Sequence, residues 1–465
     1  MQREDIKESK YNLYFPSLKK ELYIVYNTLT EGTVLVSEDG IEAIRTSPSK
    51  IPEQKRQELI NAGILVSANT DERRIFRVNH NRIKYSTEEC FVLLYTTYRC
   101  NMACTYCYED FLSKTKDLNQ DMSLETADVV GKFIKNIASK HGFREIRLFF
   151  FGGEPLLNPD PILSLLNTLS PWAQSKGVHF TNAICTNGTV PLEELLPRLL
   201  HFNTFFHFTI DGPKAVHDER RPYLSGSGTF DDIMKNISLV SKVRANFGIR
   251  VNVDKRNAAK VETLLRQLRT ELGESPIIRF AEVIPPIGGT EKPTPCPWAS
   301  QCFMGKDPKM IVSLIKYARD LGLTVVTRPM RDWVFCECLR DHSYLIDPFG
   351  DIYKCEGLAG IKDHRAGALR DDGTIEANYT MDNWLSHDPL ETDCRDCVYL
   401  PICGGGCPCL TFEETGTYHV GGCTMFKHLY HEFIKYHLES KYPWFSNLLS
   451  TELINIHKNN SVVVE

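Results

Sequence analysis

The chain has 465 residues, 42% hydrophobic and 24% charged, a balance that supports a real core and allows about three domains. A net charge of −5 supplies neither the basic stripe that neutralises nucleic-acid phosphates nor a polybasic membrane patch, so neither partner is expected. The opening residues MQREDIKESKYNLYF lack the apolar run of a signal peptide, and no later segment reaches the ~20 apolar residues of a membrane span, so the expected location is cytoplasmic.

Residues 1–86 read as a small α+β module, in which the strand-like runs ELYIVYN and GTVLVS precede a helical stretch, EQKRQELINAG, closed by a glycine. From FVLLYTT (91–97) onward, short apolar runs alternate with amphipathic helices. The later strands are EIRLFFF (145–151), VHFTNAICT (178–186), TFFHFTI (204–210), GIRVNVD (248–254) and IIRFAEVI (277–284). Helical patterns lie near 123–140, 160–176, 191–202, 230–245, 258–272 and 307–321. Six strands with intervening helices predict an α/β fold, a parallel sheet curved into a partial (β/α)6 TIM-like barrel over 87–325, with working loops at the strand C-terminal ends. Over 326–430 Gly, Pro, Asp and Cys replace the periodicity, as in a domain held together by metal. The remainder, 431–465, completes a closing helix (KHLYHEFIKYHLESKY) and ends in a tail expected to fray.

Sixteen cysteines in a chain expected in the reducing cytosol argue for ligands or catalysts over disulfides. All but Cys90 and Cys185 fall at 100–107 or between 296 and 423. Cys100, Cys104 and Cys107, in CNMACTYCYED, follow the first barrel strand, where chemistry is expected. On spacing alone, three thiolates suit an iron–sulfur cluster with one iron left open, a structural zinc site or unrelated thiols.

The C-x3-C-x-aromatic-C spacing after a first strand, with FFFGGEP ending the second, resembles the radical S-adenosylmethionine (SAM) superfamily. The resemblance implies a 4Fe-4S cluster on Cys100, Cys104 and Cys107, whose open iron chelates the amino and carboxylate groups of SAM. It further implies that Tyr106 packs near the adenine, that Gly152 and Gly153 let the backbone approach the ligand closely, and that Glu154 accepts hydrogen bonds from the ammonium. Alone, a strand ending in two glycines is a tight turn. CTNG (185–188) and TIDG (209–212) close the third and fourth strands. By resemblance, Thr209 and Arg221 contact the SAM ribose and carboxylate, and Asn252 in RVNVD is a further candidate. The plain alternatives are a strand-end hydroxyl, a surface cation and a turn residue.

Cys338 is followed by eleven residues, Gly350, four residues and Cys355; later come Cys394-x2-Cys397-x5-Cys403-x3-Cys407 and then Cys423. This spacing is similar, cysteine for cysteine, to the seven-cysteine SPASM domain of radical SAM enzymes that modify peptides and proteins. The resemblance as a whole covers about 90–425. It implies two auxiliary 4Fe-4S clusters, three clusters in all, with cluster I on Cys338, Cys355 and Cys407 and cluster II on Cys394, Cys397, Cys403 and Cys423. Some relatives carry an extra cysteine six residues before the first, where this chain has Asp332. The fourth ligand of cluster I is therefore read as Cys336, the alternative being an iron open to a substrate thiol. Cys90 and Cys185 read as small buried hydrophobes, and Cys296, Cys302 and Cys409 receive no role.

The resemblance implies an enzyme in which SAM cleavage yields a 5′-deoxyadenosyl radical, auxiliary clusters take up an electron and a base removes a proton. Glu356, directly after Cys355, is a candidate base where sulfatase-maturing relatives have Asp; a solvated carboxylate is the alternative. The expected reaction is hydrogen abstraction from a residue of a ribosomally synthesised precursor peptide, installing a thioether, C–C or C–O cross-link. One alternative is sulfatase-maturase-type oxidation of Cys or Ser to formylglycine. Another, from a different class, is an iron–sulfur electron carrier or zinc-binding interaction protein, which leaves FGGEP and TIDG without purpose. The expected partners are the precursor with its leader and a small electron donor such as flavodoxin or ferredoxin. The N-terminal module is read either as a winged-helix-like leader-binding domain, working by strand addition, or as a cap on the barrel.

Overall fold

The computed structural model describes residues 5–16, 21–109, 120–274, 276–283, 308–327, 331, 333–422, 427–441 and 461–464. In the N-terminal module, β1 (Ile6–Glu8) pairs antiparallel with β5 (Leu65–Ser67), while β2 (Asn12–Pro16), β3 (Leu22–Asn27) and β4 (Thr33–Ser37) form an antiparallel ladder. The two expected strands are β3 and β4, and the expected helix is Glu53–Asn61. The near-continuous apolar run of β4 has a reason: the sheet is covered on both faces. Val25, Val34 and Val36 meet Ile41, Ile44 and Leu59 of the module's own helices, whereas Ile24, Tyr26 and Leu35 meet Ile402, Tyr430 and Ile434 from the other end of the chain.

The barrel strands follow the sequence reading closely. They are β6 (Glu89–Thr97), β7 (Glu145–Gly152), β8 (His179–Cys185), β9 (Phe205–Thr209), β10 (Phe247–Val253) and β11 (Ile277–Glu282), with a two-residue β12 (Thr324–Val325), all parallel and paired in sequence order. Alternation along β7 sends Ile146, Leu148 and Phe150 to the helices, all fully buried, and Arg147, Phe149 and Phe151 to the concave side. Helices Leu124–His141, Pro159–Lys176, Phe230–Lys242, Ala258–Leu272 and Pro308–Asp320 cover the outer face. The helix expected over 191–202 is shorter, Leu196–Leu200, because Pro197 is accommodated only in a first turn.

Past the barrel, β13 (Ser343–Ile346) pairs in parallel with β6 and continues antiparallel into β14 (Asp351–Tyr353), β15 (Gly367–Leu369) and β16 (Ile375–Ala377). One sheet of eleven strands therefore runs from the barrel into the cysteine-rich region. The closing helix is Lys427–Lys441, and the tail expected to fray contributes β17 (Ser461–Val464), paired in parallel with β4. No helix among the described residues is long and apolar enough to cross a membrane.

Candidate active site and iron–sulfur sites

The loop carrying Cys100, Cys104 and Cys107 leaves the C-terminal end of β6 and is tied down on three sides. Arg99 donates from Nε and Nη2 to the two oxygens of Asp121 at 2.7 and 2.6 Å. The amides of Ala103 and Thr105 donate to the carbonyls of Pro222 and Arg220 at 2.8 and 2.9 Å, which lays the loop alongside the segment containing Arg221. Asn187 of CTNG donates to Asn101 at 2.9 Å and reaches the Cys100 sulfur at 3.7 Å. Burial pushes the Cys100 thiol up to about 12, so the thiolate needs a cation beside it, as an iron would supply.

Tyr106 is the meeting point of the residues expected around SAM. Its hydroxyl bonds Asp211 of TIDG and accepts from Arg221 Nη1 at 2.8 Å and from Asn252 Nδ2 at 3.0 Å. Sequence reasoning singled out Arg221 and Asn252 but missed their anchors. Asp211 is fully buried and accepts from the Asn252 amide at 2.9 Å; Arg220, 2% exposed, donates to Asp254 at 2.8 Å and lies 4.9 Å from the Tyr106 ring centre. Thr209 ends β9, half-buried, outside this network. Arg221 is no surface cation: it is 7% exposed, and its Nε has no hydrogen-bond partner among the described residues. An orphaned guanidinium donor in electrostatic reach of Cys100 and Cys104 fits the carboxylate of a ligand such as SAM.

The GGE turn has a second reason for its glycines. Gly152 adopts φ 126°, and a Cβ there would stand 2.2 Å from the Thr97 carbonyl oxygen; one on Gly153 would stand 2.3 Å from that of Arg99. The turn thus lies flat on the root of the cysteine loop. Glu154, fully buried, accepts from Leu156 N, Thr186 Oγ1 and Asn187 N at 3.0, 2.8 and 2.6 Å. Burial raises its pKa to about 7, against the pull of these donors and of Arg221.

The barrel lumen holds charges the sequence did not reveal. Arg250 and Arg279 are register neighbours on β10 and β11, and together with burial they hold His207 down at about 4. Cys185 is half-buried among Arg250, Glu356 and Arg279, which corrects its reading as an apolar core thiol, whereas Cys90 is fully buried in the core as expected. Glu356 is exposed, with its carboxylate in electrostatic reach of Cys338 on one side and of Tyr95, Tyr108 and Cys185 on the other.

In the cysteine-rich region, Cys336, Cys338, Cys355 and Cys409 form a file of thiols, each in hydrogen-bond contact with the next, and Cys407 is in electrostatic reach of Cys355 and Cys409. Cys394, Cys397 and Cys403 form a second group, with the backbone at Gly421 close to the Cys394 sulfur. Cys423, Cys296, Cys302 and Asp332 lie outside the described residues. Among the described residues, no three His, Cys, Asp or Glu side chains converge as the shell of a single metal ion requires. A four-iron cluster spreads its thiolates over separate irons, and thiols gathered in this looser way fit that group. The N-terminal module docks here: Arg77 Nη2 meets Glu391 at 2.6 Å, Thr28 donates to the Val398 carbonyl at 2.6 Å and Lys84 to that of His387 at 2.6 Å. Tyr11, Leu29 and Phe76 of the module pack with Cys394 and Cys397.

A partial barrel with three thiols on the loop after its first strand, a glycine turn beside them and a cysteine-rich annex defines an enzyme that uses SAM and an iron–sulfur cluster for radical chemistry. Residues 94–268 match the model of the radical SAM superfamily, so the chain carries a radical SAM domain. The cysteine-type anaerobic sulfatase-maturating enzyme of Clostridium novyi is 22% identical over 334 residues, 66% of this chain and 84% of the relative. The serine-type enzyme of Klebsiella aerogenes is 24% identical over 326 residues, 66% of this chain and 77% of the relative. Among solved structures, native anSMEcpe with bound AdoMet superposes with a TM-score of 0.59 at 19% identity, over 77% of this chain and 98% of its own. Streptococcus suis SuiB bound to precursor peptide SuiA superposes with a TM-score of 0.50 at 15% identity, over 90% of this chain and 99% of its own. The fold is shared with these solved structures.

Proposed function

We propose that this chain is a peptide maturase that removes hydrogen from one residue of a ribosomally synthesised precursor and completes its oxidation to a cross-link. The observation that carries the reading is the N-terminal module fixed beside Cys394 and Cys397. The sulfatase-maturating structure leaves the rest of this chain uncovered beyond 77%, whereas SuiB, a structure solved with its precursor peptide, extends to 90%. A leader adding a strand to the module's sheet would meet β2, the outer strand, because β4 is already covered by β17.

Cys100, Cys104 and Cys107 would hold the SAM cluster, cluster I would sit on Cys338, Cys355 and Cys407, and cluster II on Cys394, Cys397, Cys403 and Cys423. When bound, SAM and the clusters supply a carbon-centred radical and electron uptake. The chain's own residues position and exclude. Tyr106 would flank the adenine while its hydroxyl holds Arg221 for the carboxylate; Glu154 would accept from the amino group; Gly152 and Gly153 keep the turn close; Thr209 and Asn252 would face the ribose. Glu356, between the thiol file and the lumen, is suited to remove the second proton.

Coexpression with a small peptide encoded in a neighbouring reading frame tests the reading. A loss of two hydrogens per event, a linkage that survives fragmentation and no reaction with aldehyde reagents are expected. A peptide that instead reacts as an aldehyde supports formylglycine formation, the reading favoured by the names of the curated relatives.

A further inference from the structure

Five thiols gather where a four-iron cluster uses four, and the surplus identifies the missing ligand. We infer that Cys409 is the fourth protein ligand of auxiliary cluster I, and that Cys336 is a thiol outside its ligand set. The inference rests on the proposed auxiliary cluster and completes it.

Three observations favour Cys409. Cys409 contacts the Cys355 sulfur and has Cys407, Cys338 and Cys336 all in electrostatic reach, whereas the hydrogen-bond partner of Cys336 is Cys338, at the far end of the file. Next, Cys409 is 1% exposed, set in an apolar cluster with Val334, Leu358, Trp384 and Tyr418 that shields a cluster from water. Finally, Cys407 and Cys409 share a rigid mount: Cys407 is the N-cap and Cys409 the second residue of helix Pro408–Thr415. Cys336 sits in extended backbone before a short turn, off that mount.

Four protein thiolates leave no iron open for a substrate thiol. Cluster I then exchanges electrons with the substrate and does not bind it. Ligation replaces the Cys409 S–H bond by an iron–sulfur bond, the proton leaving to solvent, and Cys336 stays in contact with the Cys338 sulfur, where it would tune the potential.

The test uses the full chain with Cys100, Cys104 and Cys107 replaced by Ala, reconstituted anaerobically, so that only auxiliary clusters remain. About eight irons per chain are expected; about four or fewer would mean that the auxiliary-cluster reading itself fails. In that background C409A should shed one iron on mild oxidation, seen as a three-iron EPR signal and about seven irons, while C336A should keep about eight and show no such signal. An unchanged Mössbauer spectrum from cluster II marks either variant as folded. C409A retaining the full iron count without the three-iron signal, or C336A acquiring that signal, overturns the assignment.

Discussion

Removing the Tyr106 hydroxyl is the most informative single change at the SAM site. Tyr106→Phe keeps the ring and deletes bonds to Asp211, Arg221 and Asn252. Asp211 retains the Asn252 amide at 2.9 Å and the Arg220 guanidinium, so little of the loss falls there. Arg221 is different: it is 7% exposed and its Nε is already without a partner among the described residues, so losing the Nη1 bond leaves a buried cation poorly held. A hydrogen bond to a charged buried group is worth about 1.5–3 kcal/mol, and about half of that lost from carboxylate positioning weakens SAM binding by roughly four- to twelvefold. Equilibrium dialysis of SAM against the reconstituted enzyme measures this, with iron content unchanged as the control. The double variant Y106F/R221M should be less damaging than the sum of its parts by more than about 0.5 kcal/mol. Full additivity, or an unaltered Y106F affinity, would refute the claim that the hydroxyl acts through Arg221.

Other outcomes follow from the same geometry. Asp254→Asn strips the carboxylate from Arg220, at 2% exposure, and should destabilise the chain by about 3 kcal/mol, seen as a lower Tm; an unshifted melt would contradict the buried pair. Gly153→Ala drives a methyl to within 2.3 Å of a backbone carbonyl, so the variant should lose SAM binding and the first cluster's iron while keeping the auxiliary iron. Burial raises the Asp347 pKa to about 7, above the unfolded value of about 3.9, so the folded chain holds that proton more tightly. Its contribution to stability is full below about pH 4 and is lost as pH rises to about 7, so D347N should flatten the urea-melt profile across that window. Glu356→Gln should slow peptide product formation by a hundredfold or more while leaving SAM cleavage near wild type, if Glu356 is the base.

The barrel was legible because each strand is a short apolar run of lumen–core alternation, bounded by turns, and each outer helix repeats its apolar face every three or four residues. The cysteine groups were legible because their spacing is written directly in the sequence, and the fold gathers Cys338, Cys355 and Cys407 apart from Cys394, Cys397 and Cys403. What escaped was whatever depends on a partner far along the chain. Asp211 read as part of a turn, and nothing local announces its bonds to Tyr106 and Arg220. Strands of three or four residues, β13 to β16, carry too little periodicity to detect, and β13 joins the barrel strands through its pairing with β6. Cys409, beside Pro408, read as a spare thiol because its neighbours lie some seventy and fifty residues earlier. Cys185 read as core because its strand is apolar, although the strand's last position turns it into the lumen.

The continuous sheet also bears on how such enzymes can be recombined. β6, whose end carries Cys100, is laddered from Ser343↔Phe91 to Ile346↔Leu94 with β13, whose hairpin leads into Cys355. Backbone hydrogen bonds set the spacing between the Cys100 loop and Cys355. The cysteine-rich annex is therefore not a portable part. A chimera joined in the loop before residue 343 would have to rebuild a parallel strand pair across its seam, and a graft that slips this register by one residue would turn every side chain of β13 to the wrong face.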